Sequence, residues 1–552
     1  MIQITKRPDG RIGITTPFGL KDVCKALPGR RWDPKARQWH LPATPASASN
    51  VIDVFTLNAT TPDLLPVFPD FLTELAGRGG QAEELRMYTG DLPAIPSTKF
   101  KPWSNQLRGY HMITRQTATF LAWEMGTGKT KPIVDAITNL DGISNSIVLC
   151  PTSVVPVWPK EFAKHCVLDN YHVCALTKGS VAKRTQQAVE AMKYAQDVGK
   201  RCIIVINYEA AWRPAFAKWS LGVKWDMVIA DESHRIKSPG GKASKYLAKL
   251  GENAGRRVCL TGTPMPHSPL DVFAQYRFLD PAIYGTSFTA FRARYAIMGG
   301  FENRQVLRYV NMDDLHKKFY SIADRVQKTD VLDLPEFVHE ERIIELPAKS
   351  MKIYKDLEAD MIADVGAGVV TASNALSRLL RLHQITSGFT VTEDDLVVDL
   401  NTAKQDALAD LLANEIEPGT PVVVFCLFRK DLAAVHMAAA EAKCQSVELS
   451  GSRHDINGTW DDGPDTVAAI QIAAGGIGID LTRSSVNVYY SIGFNGGDYE
   501  QSLARSHRNG QTNKVTYIHF IVEDTIDRRI QLALARRASI VKDVLAQLEN
   551  KL

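Results

Sequence analysis

Short runs of β-branched and apolar residues, each followed by a longer stretch of helical pattern, recur along most of this chain and constrain its fold class. They stand at 146–150, 202–207, 227–230, 258–261, 422–425, 467–472, 486–490 and 516–521. Most are continuously apolar rather than alternating, as expected of parallel strands buried on both faces. Strand–helix alternation of this kind predicts α/β architecture with parallel sheets. The runs form two clusters, about 100–325 and 401–525, which predicts two such lobes.

Between the clusters, 326–400 reads mainly as helix (349–364 and 372–385), and 525–552 reads as one amphipathic helix. The expected organisation is a small basic α+β module over 1–45, a linker with short helices over 46–98, a first lobe over 99–325, a helical insertion over 326–400, and a second lobe with its C-terminal helix over 401–552. A length of 552 residues suits three or four domains. Hydrophobic residues at 45% and charged residues at 23% exclude a collagen, a disordered tail protein and a disulfide miniprotein. No apolar run is long enough for a membrane span, and the first residues lack the apolar core of a signal peptide. The 8 cysteines include no C-x-x-C pair, which favours a reducing compartment. The expected location is the cytoplasm of a bacterial or phage-infected cell, or the nucleus of a eukaryotic one, and not the secretory route.

Charge is uneven. The net charge is only +4, yet Lys6, Arg7, Arg11, Lys21, Lys25, Arg30, Arg31, Lys35 and Arg37 face only Asp9, Asp22 and Asp33 near the start. That imbalance suits a phosphate-backbone binder, although a solvated face gives the same count. Trp32 and Trp39 bracket Asp33-Pro34-Lys35 and are either core or stacking platforms.

The strongest local motif is Met125-Gly126-Thr127-Gly128-Lys129-Thr130. A glycine loop that opens a helix offers unpaired N–H groups and a positive helix end to a polyphosphate. Lys129 is expected to reach the β- and γ-phosphates, with the Thr130 hydroxyl on Mg²⁺. The full G-x-x-x-x-G-K-[ST] pattern fails at its first position, which is Trp123. About a hundred residues on, the 227–230 strand runs into Asp231-Glu232-Ser233-His234. Two acids at the carboxyl end of a buried strand suit a metal-holding carboxylate, Asp231, and a water-orienting one, Glu232. His165, Cys166, His172 and Cys174 do not have a structural-zinc spacing and read as a strand and loop with incidental thiols.

Together the G-x-G-K-T and D-E-x-H stretches resemble superfamily-two helicases, and the remaining motifs narrow the resemblance to Swi/Snf-type DNA-translocating ATPases. Pro151-Thr152-Ser153-Val154-Val155-Pro156-Val157-Trp158, Asn207-Tyr208-Glu209, Leu260-Thr261-Gly262-Thr263-Pro264, Leu270-Asp271-Val272-Phe273 and Arg277-Phe278-Leu279 match motifs in family order. Lys328 to Pro335 looks like the inter-lobe segment, and Gly475 to Leu481 like the second-lobe glycine motif, with Asp480 where an Asn is usual. Gln501-Ser502-Leu503-Ala504-Arg505-Ser506-His507-Arg508-Asn509-Gly510-Gln511 is close to the arginine motif. The resemblance implies two RecA-like lobes and DNA-dependent ATP hydrolysis with Mg²⁺. Arg505 and Arg508, three apart on an expected helix, would share a face and act on the γ-phosphate. With these fingers on one lobe and Lys129 and Asp231 on the other, ATP would close the cleft and hydrolysis reopen it. Gly478, Asp480 and Gln501 would lie at the same nucleotide. Gln106, after Phe100-Lys101-Pro102-Trp103, resembles an adenine reader, with Gln116 as its rival. DNA, mainly through its phosphates, would touch Thr152, Trp158, Thr261 and Thr263.

The block from Gly13 through Arg31-Trp32-Asp33-Pro34-Lys35-Ala36-Arg37-Gln38-Trp39 resembles the HARP domain of annealing helicases, which directs such motors to branched DNA. The expectation is a monomeric translocase that remodels or reanneals forks. A strand-separating DNA or RNA helicase is one alternative. A non-hydrolysing scaffold bound to DNA through its basic start is another.

Overall fold

The apolar runs become the central strands of two parallel sheets, and helices cover the faces that those strands would otherwise expose. The computed structural model describes residues 2–536 apart from 59–65, 267, 301–304, 333, 367–371, 392–395, 454, 457–459, 461–465 and 473–478, with the rest of 360–378 described by backbone alone. The chain divides into two units, the first ending at Val331 and the second starting at Leu332.

The first unit begins with strands β1 (Gln3–Lys6), β2 (Ile12–Thr15), β3 (Arg31–Asp33) and β4 (Gln38–Leu41), antiparallel in the order β1-β2-β4-β3. Ile4, Ile12, Ile14 and Leu41 form its core with Val51 and Phe55 of helix Pro45–Asn58 and Leu72 of helix Asp70–Gly77. The short helices expected in 46–98 therefore help to close the core of the N-terminal sheet. Of the two tryptophans, Trp39 packs against this core, while its cross-strand partner Trp32 is exposed. An Arg31–Glu252 ion pair at 2.7 Å and an Asn50 amide bond to the Ala282 carbonyl at 2.9 Å fasten the module to the parallel sheet's surroundings.

That parallel sheet contains β5 (Ala118–Trp123), β6 (Asn145–Cys150), β7 (Tyr171–Ala175), β8 (Arg201–Asn207), β9 (Met227–Asp231) and β10 (Arg256–Leu260). After an antiparallel ribbon, β11 (Ala296–Gly299) and β12 (Gln305–Tyr309), it is completed by β13 (Ala323–Val326). The order is β13-β5-β10-β9-β6-β8-β7. Ile147, Val148, Ile203, Val205 and Ile229 are fully buried, as strands covered on both faces require.

The second unit is built on β14 (Phe337–Ile343), a β15 (Phe389–Val391) and β16 (Val397–Asp399) hairpin, then β17 (Val422–Cys426), β18 (Gln445–Leu449), β19 (Thr466–Gln471), β20 (Val486–Tyr489) and β21 (Val515–Ile521). Its parallel sheet runs β14-β21-β20-β17-β19-β18. The expected helices of the insertion are present as Ala348–Gly366 and Ala372–Thr386. Residues 337–343 instead pair with β21 as an edge strand. The expected C-terminal helix is described over 526–536, and 537–552 lie outside the described residues. All eight cysteines are free thiols. No helix among the described residues is long and apolar enough to cross a membrane.

Candidate active site

β5 delivers the chain to the glycine loop, and helix Thr130–Asn139 leaves it. Gly126 and Gly128 have φ of +88° and +77°, where a side chain is strained. Gly128 is restricted twice over, because a Cβ there would sit 2.1 Å from the Gln106 Nε2. The Lys129 ammonium donates to the carbonyls of Trp123 at 2.9 Å and Glu124 at 3.1 Å. Thr127 is buried, its hydroxyl donating to the Glu124 carbonyl at 2.7 Å, while Asn105 donates to the Thr127 carbonyl at 3.0 Å. Helix Ser104–Arg115 thus holds the loop through Asn105 and Gln106. The Gln106 amide accepts from the Trp103 N–H at 2.9 Å and donates toward the Gly128 carbonyl at 3.5 Å. Its rival Gln116 stands at the far end of that helix. Met125 and Thr130 flank the loop, both half-buried.

Asp231 is the last residue of β9 and lies one strand from β5, since β10 pairs with both. Its carboxylate accepts from the Trp158 indole N–H at 3.2 Å and from the Glu232 N–H at 3.0 Å. Burial, and then repulsion from Glu232, push the Asp231 carboxyl up to about 7, against the pull of Lys129 and the Trp158 N–H. Glu232 follows with φ of +51° and ψ of +53°, a left-handed conformation that costs a non-glycine residue about 1–3 kcal/mol. Its carboxylate lies 3.3 Å from the Thr261 hydroxyl and 3.4 Å from the His234 Nδ1. Thr261 also meets His234 Nδ1 at 3.0 Å and accepts from the Thr263 N–H at 3.1 Å. Gly262 packs against the loop entrance, where a Cβ would lie 3.2 Å from the Met125 nitrogen. The acids and the L-T-G-T-P stretch are therefore one hydrogen-bonded unit beside the glycine loop.

Two expected DNA contacts are corrected by this geometry. Trp158 is 1% exposed and packs on Phe162, so its ring is a support for Asp231 rather than a DNA-facing surface. Thr261 is fully buried, with its hydroxyl engaged by Glu232, His234 and Thr263. Both readings treated polar or aromatic residues in a motif as surface, whereas Thr261 directly follows the central strand β10 and Trp158 is one of the buried residues of helix Val157–His165. Thr152 is exposed and Thr263 half-exposed. The thiol and imidazole group also separates: His165 faces Glu161 at 3.3 Å, and His172 packs on Tyr194.

Sequence reasoning missed two supports. Gln275, fully buried, accepts from the Ser233 hydroxyl at 2.7 Å and donates to the Pro264 carbonyl at 2.7 Å, which joins the acid loop to the L-T-G-T-P turn. A single glutamine inside the apolar helix Val272–Leu279 was the available signal. Asn105 is the other, one residue before the glutamine that attracted attention.

In the second unit, helix Gly496–Ser506 carries Gln501 and Arg505 one turn apart on the same face. The helix stops at Ser506, so Arg508 does not share that face as expected. His507 is the C-cap, and Gly510 at φ of +100° completes the turn. The Arg505 carbonyl accepts from the Leu481 N–H at 3.2 Å, and Ser506 donates to Asn487 at 2.6 Å. Gln511 donates to the carbonyls of Thr482 at 2.9 Å and Ser484 at 3.0 Å. Arg508 lies 4.0 Å from Asp480, whose carboxylate also accepts from the Thr482 hydroxyl at 2.7 Å. Gly478 lies outside the described residues.

The model of the SNF2-related domain matches residues 86–388, more than half of the chain. This chain belongs to the SNF2-related family. As a family member it is a helicase-like ATP hydrolase that uses ATP, which removes the non-hydrolysing scaffold from consideration. Protein p41 of Acyrthosiphon pisum secondary endosymbiont phage 1 is 27% identical over 450 residues, covering 77% of this chain and 93% of that protein. The DNA annealing helicase and endonuclease ZRANB3 of Mus musculus is 27% identical over 342 residues; the match covers 59% of this chain and 30% of ZRANB3. A solved structure titled as the Sulfolobus solfataricus SWI2/SNF2 ATPase core in complex with dsDNA matches with a TM-score of 0.39 and 21% identity, covering 83% of this chain and 96% of that one.

Proposed function

We propose that this SNF2-related ATPase is a double-stranded DNA translocase that remodels or reanneals branched, fork-type DNA in replication, repair or recombination. The observation that carries the proposal is the bonded unit of Asp231, Glu232, His234, Thr261 and Thr263 next to the glycine loop. It joins the groups that would handle ATP to the turn that leads to the half-exposed Thr263. In this reading Thr152 and Thr263 meet DNA phosphates, and Thr261 and Trp158 set the acids behind them. Contacts of that kind give low sequence specificity and salt-sensitive binding.

Backbone N–H groups of Met125, Gly126, Thr127 and Gly128 would cradle the phosphates, with Lys129 moving from its loop carbonyls onto them. Two adjacent carboxylates, Asp231 with its proton affinity raised by burial and by the charge of Glu232, form a donor set that a divalent cation suits. Thr130 and Asp231 would hold Mg²⁺, which when bound supplies positive charge to the phosphates. Glu232 would orient the attacking water and take its proton. Gln106 and Trp103 border the loop where an adenine reader would stand. Gln501, Arg505 and Arg508 would stabilise charge on the γ-phosphoryl, and Gly478 and Asp480 would lie at the same nucleotide. The basic N-terminal sheet, with its exposed Trp32, would direct the motor to a branch. The name of ZRANB3 as an annealing helicase supports that last step.

The test is steady-state ATP hydrolysis with no nucleic acid, single-stranded, duplex and forked DNA, and RNA, with Lys129→Ala as the blank. Strong stimulation by duplex or forked DNA, with reannealing and little unwinding of a tailed duplex, is the expected outcome. Stimulation by RNA or single strands alone would replace the translocase with a strand-separating helicase.

A further inference from the structure

His507 stands between Arg505 and Arg508, and its bonds lead away from them toward the start of the second unit. Its backbone N–H caps helix Gly496–Ser506 by donating to the Leu503 carbonyl at 3.3 Å. The same Leu503 carbonyl accepts from the Tyr517 hydroxyl of β21 at 2.6 Å. The His507 ring then reaches the opposite way. Its Nε2 lies 2.8 Å from the Pro335 carbonyl, and its ring centroid is 5.1 Å from that of Phe337. A carbonyl can only accept, so Nε2 carries the hydrogen. Pro335 is four residues into the second unit, directly after the chain leaves the first at Val331. Its neighbour Glu336 accepts from the Val515 N–H at 3.1 Å, where β14 begins to pair with β21.

We propose that His507 is a positioning residue for the arginine motif. Its Nε2–H bond to Pro335 and its packing on Phe337 tie the turn that carries Arg508 to the segment connecting the units. The rest of the motif is fixed inward, through Leu481, Asn487, Thr482 and Ser484, to the end of one central strand and its neighbours. His507 is the member that fixes it outward, to the incoming chain. With that bond in place the turn 507–510 has one orientation, and Arg508 leaves it at a set angle. Without it the turn keeps its inner bonds, the Gln511 N–H on the Arg508 carbonyl among them, but loses its tie to the incoming chain. The inference rests on the reading that Arg505 and Arg508 act on the γ-phosphoryl.

The test compares His507→Ala, His507→Asn and His507→Gln in the full chain, measuring kcat and KM for ATP with saturating duplex DNA. A glutamine amide nitrogen can take the place of Nε2, whereas that of asparagine falls short. The expected result is a kcat lowered about 10- to 100-fold in the Ala and Asn variants, because small misplacements of a reacting group cost that much. KM for ATP stays within about twofold, as for a group that acts in the transition state, and the Gln variant recovers most of the loss. Thermal unfolding of each variant runs alongside, and if the Ala protein does not fold the Asn and Gln pair decides. Wild-type kcat in the Asn variant, a Gln variant no better than Asn, or a rise in KM that accounts for the loss would each overturn the proposal. Arg508→Ala separates the two readings. If it too keeps wild-type kcat, the finger assignment fails; if it loses activity while His507→Asn does not, only the positioning role of His507 falls.

Discussion

The glycine-loop site of the first unit and the arginine motif of the second handle charge in opposite ways. In the first, the acids sit low at the end of a central strand: burial and the charge of Glu232 raise the proton affinity of Asp231, the Glu232 side chain is 13% exposed, and Thr261 and Trp158 beside them are covered. In the second, the backbone is bolted down by Gln511, Ser506 and Leu481 while Arg508 and Asp480 keep more of their side chains in solvent, at 32% and 61% exposure. Buried acids acquire tuned proton affinity and a fixed direction, but they depend on neighbours to stay ionised. Guanidinium groups need no tuning, since they are charged at any working pH, and need only a rigid base. In the proposed reading the first site prepares the chemistry and the second presents charge to it.

Substitutions test that contrast. Arg505→Ala or Arg508→Ala should lower kcat for ATP most, about 10³- to 10⁵-fold as for arginine fingers elsewhere, with the unfolding temperature unchanged. A large loss of stability instead would mean that the arginines belong to the scaffold and not to the presented charge. Glu232→Gln should lower kcat about 10²- to 10⁴-fold while nucleotide binding, read by a fluorescent ATP analogue, persists. Trp158→Phe keeps the packing and removes the N–H on Asp231, a charge-assisted bond of about 1.5–3 kcal/mol. ATP hydrolysis should fall about tenfold or more, while binding of duplex DNA, measured by anisotropy, should hold. Weakened DNA binding with unchanged hydrolysis would restore Trp158 as a DNA contact.

Acid should distinguish the second unit's interior from its surface. His383 is buried beside Lys404 and Asp527, and burial holds its pKa down to about 4. An unfolded imidazole titrates near 6.5, so between about 6.5 and 4 the unfolded chain takes a proton that the folded chain refuses. Stability is lost as pH falls through that window, by about 2 kcal/mol at pH 5 from this group. His383→Gln should therefore show a smaller drop in unfolding temperature between pH 7 and 5; an identical drop would sink the assignment. The smallest effect is expected of Asp480→Asn. An exposed pair at 4.0 Å is worth about 0–1 kcal/mol, so kcat should change less than about fivefold. A loss beyond tenfold would make Asp480 part of the nucleotide site itself.

The parallel α/β class, the two lobes, and the glycine loop, acids and arginine motif were all legible in the residues alone, because each has a local cause. Continuous apolar runs demand burial on both faces, and G-x-G-K-T demands positive φ where only glycine is unstrained. The sequence did not show β5, although β5 carries the loop: Ala118–Trp123 has one β-branched residue, Thr119, so its apolar run reads equally as a buried helix segment. Nor did it show β14, whose alternating Phe337–Ile343 fits an edge and not a core. Only the tertiary structure decided what lies under what. Trp158 is a support because helix Val157–His165 packs it into the core beside Phe162, Thr261 because its bonds to Glu232, His234 and Thr263 enclose it, and Gln275 is a bridge because its helix meets both the acid loop and the Pro264 turn. Arg508 lies past the end of its helix, and its neighbour His507 meets Pro335, a residue 172 positions away in the chain. Contacts over such separations arise from packing and backbone hydrogen bonding between elements, and spacing along a sequence carries no record of them.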